Sequence, residues 1–138
     1  VNVVELGSME AYLRIFISLI AGILIGLMRI KYPAGIRTFT LICIGATVFT
    51  LISIDTSLVG GNYDPTRVIS QIVTGIGFIG AGVIWKSPTK LAGLTTAAAI
   101  WATAAVGILV GLGEFGLAMF TTIIVMSVLH SKQIWPAI

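Results

Sequence analysis

Gly75, Gly77 and Gly80 satisfy G-x-G-x-x-G within GIGFIGAGVIW, residues 75–85. In dinucleotide-binding enzymes such glycines make a tight strand-to-helix turn, so that pyrophosphate can approach a helix N-terminus. That chemistry also needs an acidic residue about 20 positions later to hold the ribose. Here no acid occurs between Asp64 and Glu114, and the glycines lie inside the uncharged run VISQIVTGIGFIGAGVIW. No nucleotide cofactor is expected.

Ionisable residues beside apolar runs are the other places where chemistry could reside. Arg14 follows Glu10 by four residues, with Ser18 one turn further on. An exposed i,i+4 pair whose arginine reaches outward is the simpler reading, but ionisable groups inside a membrane span are functional candidates by default. Asp64-Pro65-Thr66-Arg67 reads as a helix start, with Asp as N-cap and Pro at the first helical position. Gln71 lies one turn beyond Arg67, on the Gly75 face. These positions predict a polar cluster of Arg14, Asp64, Arg67 and Gln71. Cys43 stands alone, and His130 has no Cys, His or acid near it in sequence. Neither points to a disulfide or a metal site. No Walker pattern and no defensible Ser, His and acid grouping occurs, so neither enzymatic activity nor a cofactor is expected.

Composition dictates the elements that must position these residues. Of 138 residues, 57% are hydrophobic and 9% are charged. A soluble domain is about 25% charged, so this chain lacks the polar groups to face water all round. The net charge of +3 comes from scattered residues without a basic run, which argues against nucleic acid as a partner. A helix crossing about 30 Å of hydrocarbon takes about 20 mostly apolar residues. Segments 9–28, 36–54, 67–85, 94–112 and 115–131 meet or approach that length, with KYPAG, DTSLVGGNYDP, KSPTKLAG and GLGE breaking between them. The expected fold is all-α: a polytopic membrane helix bundle of about five spans, in one domain. Val1 is not followed by a basic-then-apolar leader, so no signal peptide is expected.

Charge separation supports that division. With the N-terminus outside, the inner segments hold Arg29, Lys31, Arg37, Lys86, Lys90 and Lys132 and no acid. The outer side holds Glu5, Glu10, Asp55, Asp64 and Glu114, together with Arg67 and nearby Arg14. Lys and Arg favour the cytoplasmic side, so the N-terminus is expected outside and the C-terminus inside.

Glycine spacing bears on packing. At about 100° per residue, Gly75 and Gly82 share one face of a helix and Gly77 and Gly80 lie roughly opposite. Two small-residue faces predict a central helix held between two neighbours. Ser18, Gly22 and Gly26 recur at intervals of four, and Gly107 and Gly111 repeat the device in GILVG. Such faces imply a compact bundle and, by the commonest symmetric assembly, a homodimer.

Taken as a set, PAGIRTFTLICIGA (33–46), DPTRVISQIVTGIGFIGAGVI (64–84) and GLTTAAAIWATAAVGILVGLG (93–113), with GILIGL at 22–27, resemble the membrane domain of the MgtC/SapB family. The resemblance implies a prokaryotic inner or plasma membrane location and a link to growth at low magnesium. It further implies a regulator of other membrane proteins, with ATP synthase a proposed partner. By motif match, Arg37, Asp64, Arg67, Thr95, Thr96 and Trp101 are signature positions. Where the family often writes G-L-I-G-L-E-R-E, this chain has Met28 and Ile30 in place of the acids. Longer members carry a soluble C-terminal domain; this chain resembles the short, membrane-only type.

Two functions compete. One is a regulator or scaffold acting through helix–helix contacts. The other is a small oligomeric transporter or channel for an ion, Mg²⁺ included, or a small solute. Mg²⁺ takes oxygen ligands and releases its waters reluctantly, so carboxylates would be expected along its path. All five acids belong at or near the outer side, which favours the regulator.

Overall fold

A computed structural model describes residues 4–55, 64, 66–89 and 91–134, the side chains of 132–134 excepted. Five helices follow the apolar runs: α1 (Met9–Leu27), α2 (Ile36–Ile54), α3 (Thr66–Gly82), α4 (Leu94–Leu112) and α5 (Phe115–Ile134). Ser8 starts α1 by accepting the Ala11 amide at 3.2 Å. Gly113, at φ +81°, ends α4 in a left-handed turn where the Gly113 and Glu114 amides reach back to Val110 and Leu109. That turn leads directly into α5, so the shortest expected link is real.

The third span is shorter than its apolar run. α3 stops at Gly82, and Trp85–Lys86 (β1) then pairs antiparallel with Leu91–Ala92 (β2). This small hairpin delivers the chain to Gly93, whose φ of +91° directs it into α4. A side chain on Gly93 would run into the Val83 carbonyl, so glycine is required on two grounds.

α1, α2 and α4 form the centre. A Cβ on Gly22 would stand 2.6 Å from the Thr40 Cα, and one on Gly26 2.5 Å from the Ile36 Cα. Across the other face of α2, a Cβ on Gly107 would meet the Cys43 carbonyl, and one on Gly111 would lie 2.6 Å from the Thr50 Cβ. These four glycines bring three backbones within reach of one another, the close packing by which helices associate in lipid. Thr47 Oγ1 adds a direct bond from α2 to the Gly107 carbonyl at 2.8 Å. The same contacts give direction: α1 runs against α2, and α2 and α4 run together.

Polarity is inverted relative to a soluble domain. Buried positions include Arg14, Ser18, Thr47, Thr50, Ser53 and Thr103, while Phe78, Leu41, Met119 and Phe120 are more than half exposed. Thr50, Thr103 and Thr122 donate to the carbonyls of Ala46, Ala99 and Ala118, so their hydroxyls are satisfied within their own helices. An apolar exterior around hydroxyls bonded within their own helices suits lipid. α1, α2 and α4 are each long and apolar enough to cross a membrane, while α3 has 17 residues.

α3 lies at the flank, packed on α4 and α2, and is not the central helix that two glycine faces predicted. Gly80 alone of its four glycines meets a neighbour, with Ala97 Cβ 3.7 Å from its ideal Cβ position. Among the described residues, Gly75, Gly77 and Gly82 have no neighbouring atom within 4 Å of that position. Gly77 and Gly80, expected on one face, thus differ: among the described residues α3 rests on α4 and α2 through Gly80, Ile72 and Ile76, and Gly77 stays open.

Candidate functional site

Helix α4 carries a buried arginine at each end. Arg14, fully buried on α1, reaches the α4 C-terminus and donates through Nη1 to the Gly111 carbonyl at 2.6 Å. The Schellman turn satisfies Leu109 and Val110, leaving Gly111 as the carbonyl for Arg14 to close. Glu10 pairs with the other nitrogen, Nη2, in the expected i,i+4 manner. A cation belongs there, because the partial negative charge of a helix gathers at its C-terminus.

These partners separate Arg14 from the cluster predicted for it. Among the described residues no hydrogen bond or ion pair links it to Asp64, Arg67 or Gln71. Asp64 caps α3: its Oδ1 accepts the Thr66 amide at 2.9 Å and the Thr66 hydroxyl at 2.7 Å. Those bonds hold its carboxyl below the usual carboxylate range, with Arg67 a smaller contributor. Pro65 lies outside the described residues. Arg67 is exposed, and Gln71 faces a groove between α2 and α3. Asp64 bonds locally while Arg14 reaches α4, so the four residues serve separate features.

The opposite end of α4 holds a site that sequence reasoning missed. Arg29 follows α1 and is 2% exposed. Its Nη2 donates to the Thr96 hydroxyl in the first turn of α4, and its guanidinium lies 3.8 Å from the centre of the Tyr32 ring. Its Nε is buried without a hydrogen-bond partner. Burial lowers the affinity of Arg29 for its proton relative to a free arginine, which nonetheless stays charged at neutral pH. A cavity of about 690 Å³ opens beside it, lined by Arg29, Tyr32, Val83, Gly93, Thr95 and Thr96 among others. The available signal was chemical: with Met28 and Ile30 beside it, Arg29 has no neighbouring carboxylate in sequence.

The remaining signature positions divide. Thr96 touches Arg29, Thr95 lines the same cavity, Trp101 is 55% exposed on the outer surface, and Arg37 is exposed in the first turn of α2. No group of three or more potential metal ligands occurs among the described residues.

The MgtC family pattern matches residues 15–135, which takes in Arg29, its cavity and every helix except the start of α1, where Glu10 and Arg14 stand. The chain belongs to the MgtC family. Protein MgtC of Brucella abortus (strain 2308) is 48% identical over 95 residues, covering 69% of this chain and 39% of that protein. Protein MgtC of Salmonella typhimurium (strain LT2) is 43% identical over 116 residues, covering 83% of this chain and 48% of that protein. The matched region thus spans less than half the length of these relatives. No solved structure matches. Family membership and the inverted polarity of the fold together make this a multi-pass membrane protein of a bacterial family.

Proposed function

We propose that this MgtC family protein is a non-enzymatic regulator that docks on other membrane proteins through its α2–α3 face. One observation carries the reading. A groove of about 540 Å³ runs between α2 and α3, with Gly45 and Gly75 along it and Gln71 as its one polar lining residue. A Cβ on either glycine would meet nothing within 4 Å. The chain brings its own helices together at Gly22, Gly26, Gly107 and Gly111. The α2–α3 groove sets Gly45, Ala46 and Gly75 among large apolar side chains such as Leu41, Phe49 and Ile76, a surface a further helix could pack against.

The groove has no acidic lining, which disfavours a path that must replace the water ligands of Mg²⁺. An N-terminus outside and a C-terminus in the cytoplasm follow from the charge asymmetry, in a bacterial inner or plasma membrane. A homodimer and a second membrane protein, ATP synthase among them, are the partners proposed for the exposed small-residue faces. The setting is magnesium limitation and ion homeostasis.

The test compares wild type with the double variant Gly45→Leu/Gly75→Leu in cells starved of magnesium. The variant should accumulate in the membrane with unchanged thermal stability, yet lose both growth support and co-purification with ATP synthase. Retention of both by a normally folded variant defeats the docking reading. Saturable Mg²⁺ uptake by proteoliposomes containing this protein alone establishes the transporter instead.

A further inference from the structure

We propose that the cavity between Arg29 and the first turn of α4 is an oxyanion site for a phosphate group, supplied by either an anionic lipid headgroup or a soluble phosphate. The inference is independent of the docking reading above, since the two features lie on different parts of the bundle.

Three observations converge on one small volume. First, the leading amides of α4, at Leu94, Thr95 and Thr96, have no carbonyl one turn earlier in the helix to bond. Gly93 supplies no side chain to cap them, and no side-chain cap bond is made there. Amides in this arrangement, with the positive end of the helix dipole behind them, receive anions. Second, Arg29 is buried beside those same residues and lines the cavity, with its Nε unpartnered, as that of Arg14 also is. A fork of arginine donors matches the geometry of phosphate oxygens. Third, no countercharge is at hand. All five acids lie at the end where α1, α3 and α5 begin. Arg29 shares its own end with Lys31, Arg37 and Lys86, all of them cationic.

The contrast with Arg14 sharpens the point. Arg14 is a cation at the negative end of α4, paired with a carboxylate. Arg29 is a cation at the positive end, with a neutral hydroxyl and an aromatic ring for company. Buried cations are retained when paired, and two like partial charges facing one cavity are brought together most favourably by an anion between them. Thr96 holds the guanidinium over the helix terminus, Tyr32 covers one face, and Thr95 adds a hydroxyl at the rim.

The experiment has two arms on the full chain. In detergent, inorganic phosphate is titrated against chloride at matched ionic strength while the thermal midpoint is followed. In nanodiscs of mixed phosphatidylglycerol and phosphatidylcholine, native mass spectrometry records which lipid stays bound. A saturable phosphate-specific rise in the midpoint identifies a soluble ligand; selective retention of phosphatidylglycerol identifies the lipid source. In whichever arm responds, Arg29→Gln should weaken binding at least tenfold and Thr96→Val several-fold, while Arg37→Gln leaves it unchanged. Wild type that responds in neither arm overturns the proposal without recourse to any variant. An equal loss in Arg37→Gln and Arg29→Gln overturns it too, because diffuse surface charge would then explain the binding. Should Arg29→Gln fail to fold, Thr96→Val decides, since it keeps the charge and removes the hydroxyl that aims it.

Discussion

The Arg14 guanidinium donates to the Gly111 carbonyl at 2.6 Å across 97 residues of sequence, and so joins the start of α1 to the end of α4. This one bond closes a helix terminus that the Gly113 turn leaves partly open. It also places a buried cation where the helix dipole favours it.

Removing the guanidinium should therefore act on stability. Arg14→Met is expected to cost about 2–3 kcal/mol, because the buried Gly111 carbonyl loses its charged donor. Arg14→Lys should recover part of the loss, since an ammonium can serve one partner but not the fork of two. Thermal unfolding in detergent, compared at one lipid and salt condition, checks both variants. Wild-type stability in Arg14→Met would remove the capping role.

The glycines should separate into two classes. Gly107→Ala pushes a methyl group into the Cys43 carbonyl and to within 2.8 Å of the Ala46 Cβ. Overpacking of that kind costs about 1–3 kcal/mol. Gly77→Ala meets open space on an exposed helix face, so it should be neutral or stabilise by up to about 1 kcal/mol through helix propensity. Melting temperatures of the two variants, measured side by side, test the division. Equal destabilisation would mean that the outer face of α3 is filled in the membrane by a second copy or a partner.

Gly93 tests the hairpin that leads into α4. With φ at +91° and the Val83 carbonyl in the path of any Cβ, Gly93→Ala combines backbone strain with a steric clash. A loss of about 2 kcal/mol or more is expected. Limited proteolysis between α3 and α4 should show faster cleavage. An unchanged cleavage rate would indicate that the turn can adopt another conformation at little cost.

Asp64 gives α3 a pH dependence with a definite sign. Its carboxyl titrates below its unfolded value because Thr66 donates twice to the ionised form. The capping contribution is therefore complete above the unfolded pKa of about 4 and lost as pH falls through the lower folded value. Amide hydrogen exchange in the first turn of α3, corrected for its intrinsic rate, should accelerate as pH drops into that window. Asp64→Ala should exchange fast throughout, and Asp64→Asn should stay protected without the pH response.

Several elements were legible before any coordinates. The breaks at KYPAG, KSPTKLAG and GLGE, the bounds of α2 and α4, and the Asp64 cap follow from apolar run lengths, turn residues and local bonding; most of DTSLVGGNYDP lies outside the described residues. The small-residue faces of α1 and α4 were legible too, because a four-residue glycine interval leaves few other uses for that stripe. The polar cluster was not. Its members share an end of the bundle, but each is held by partners close at hand or on a helix that spacing cannot identify. Arg29 was passed over because it serves the charge count equally well from any position on its side.

The sequence by itself determined a membrane-embedded helical chain with its acids at one end, since apolar length and charge placement are properties of the chain alone. Only the tertiary structure decided which glycines touch a neighbour and which stay open, because helical periodicity fixes faces and says nothing of what stands opposite them. It also decided that two arginines, Arg14 within α1 and Arg29 just after it, meet opposite ends of α4. The dipole of that helix makes one a cap and leaves the other facing a cavity suited to an anion.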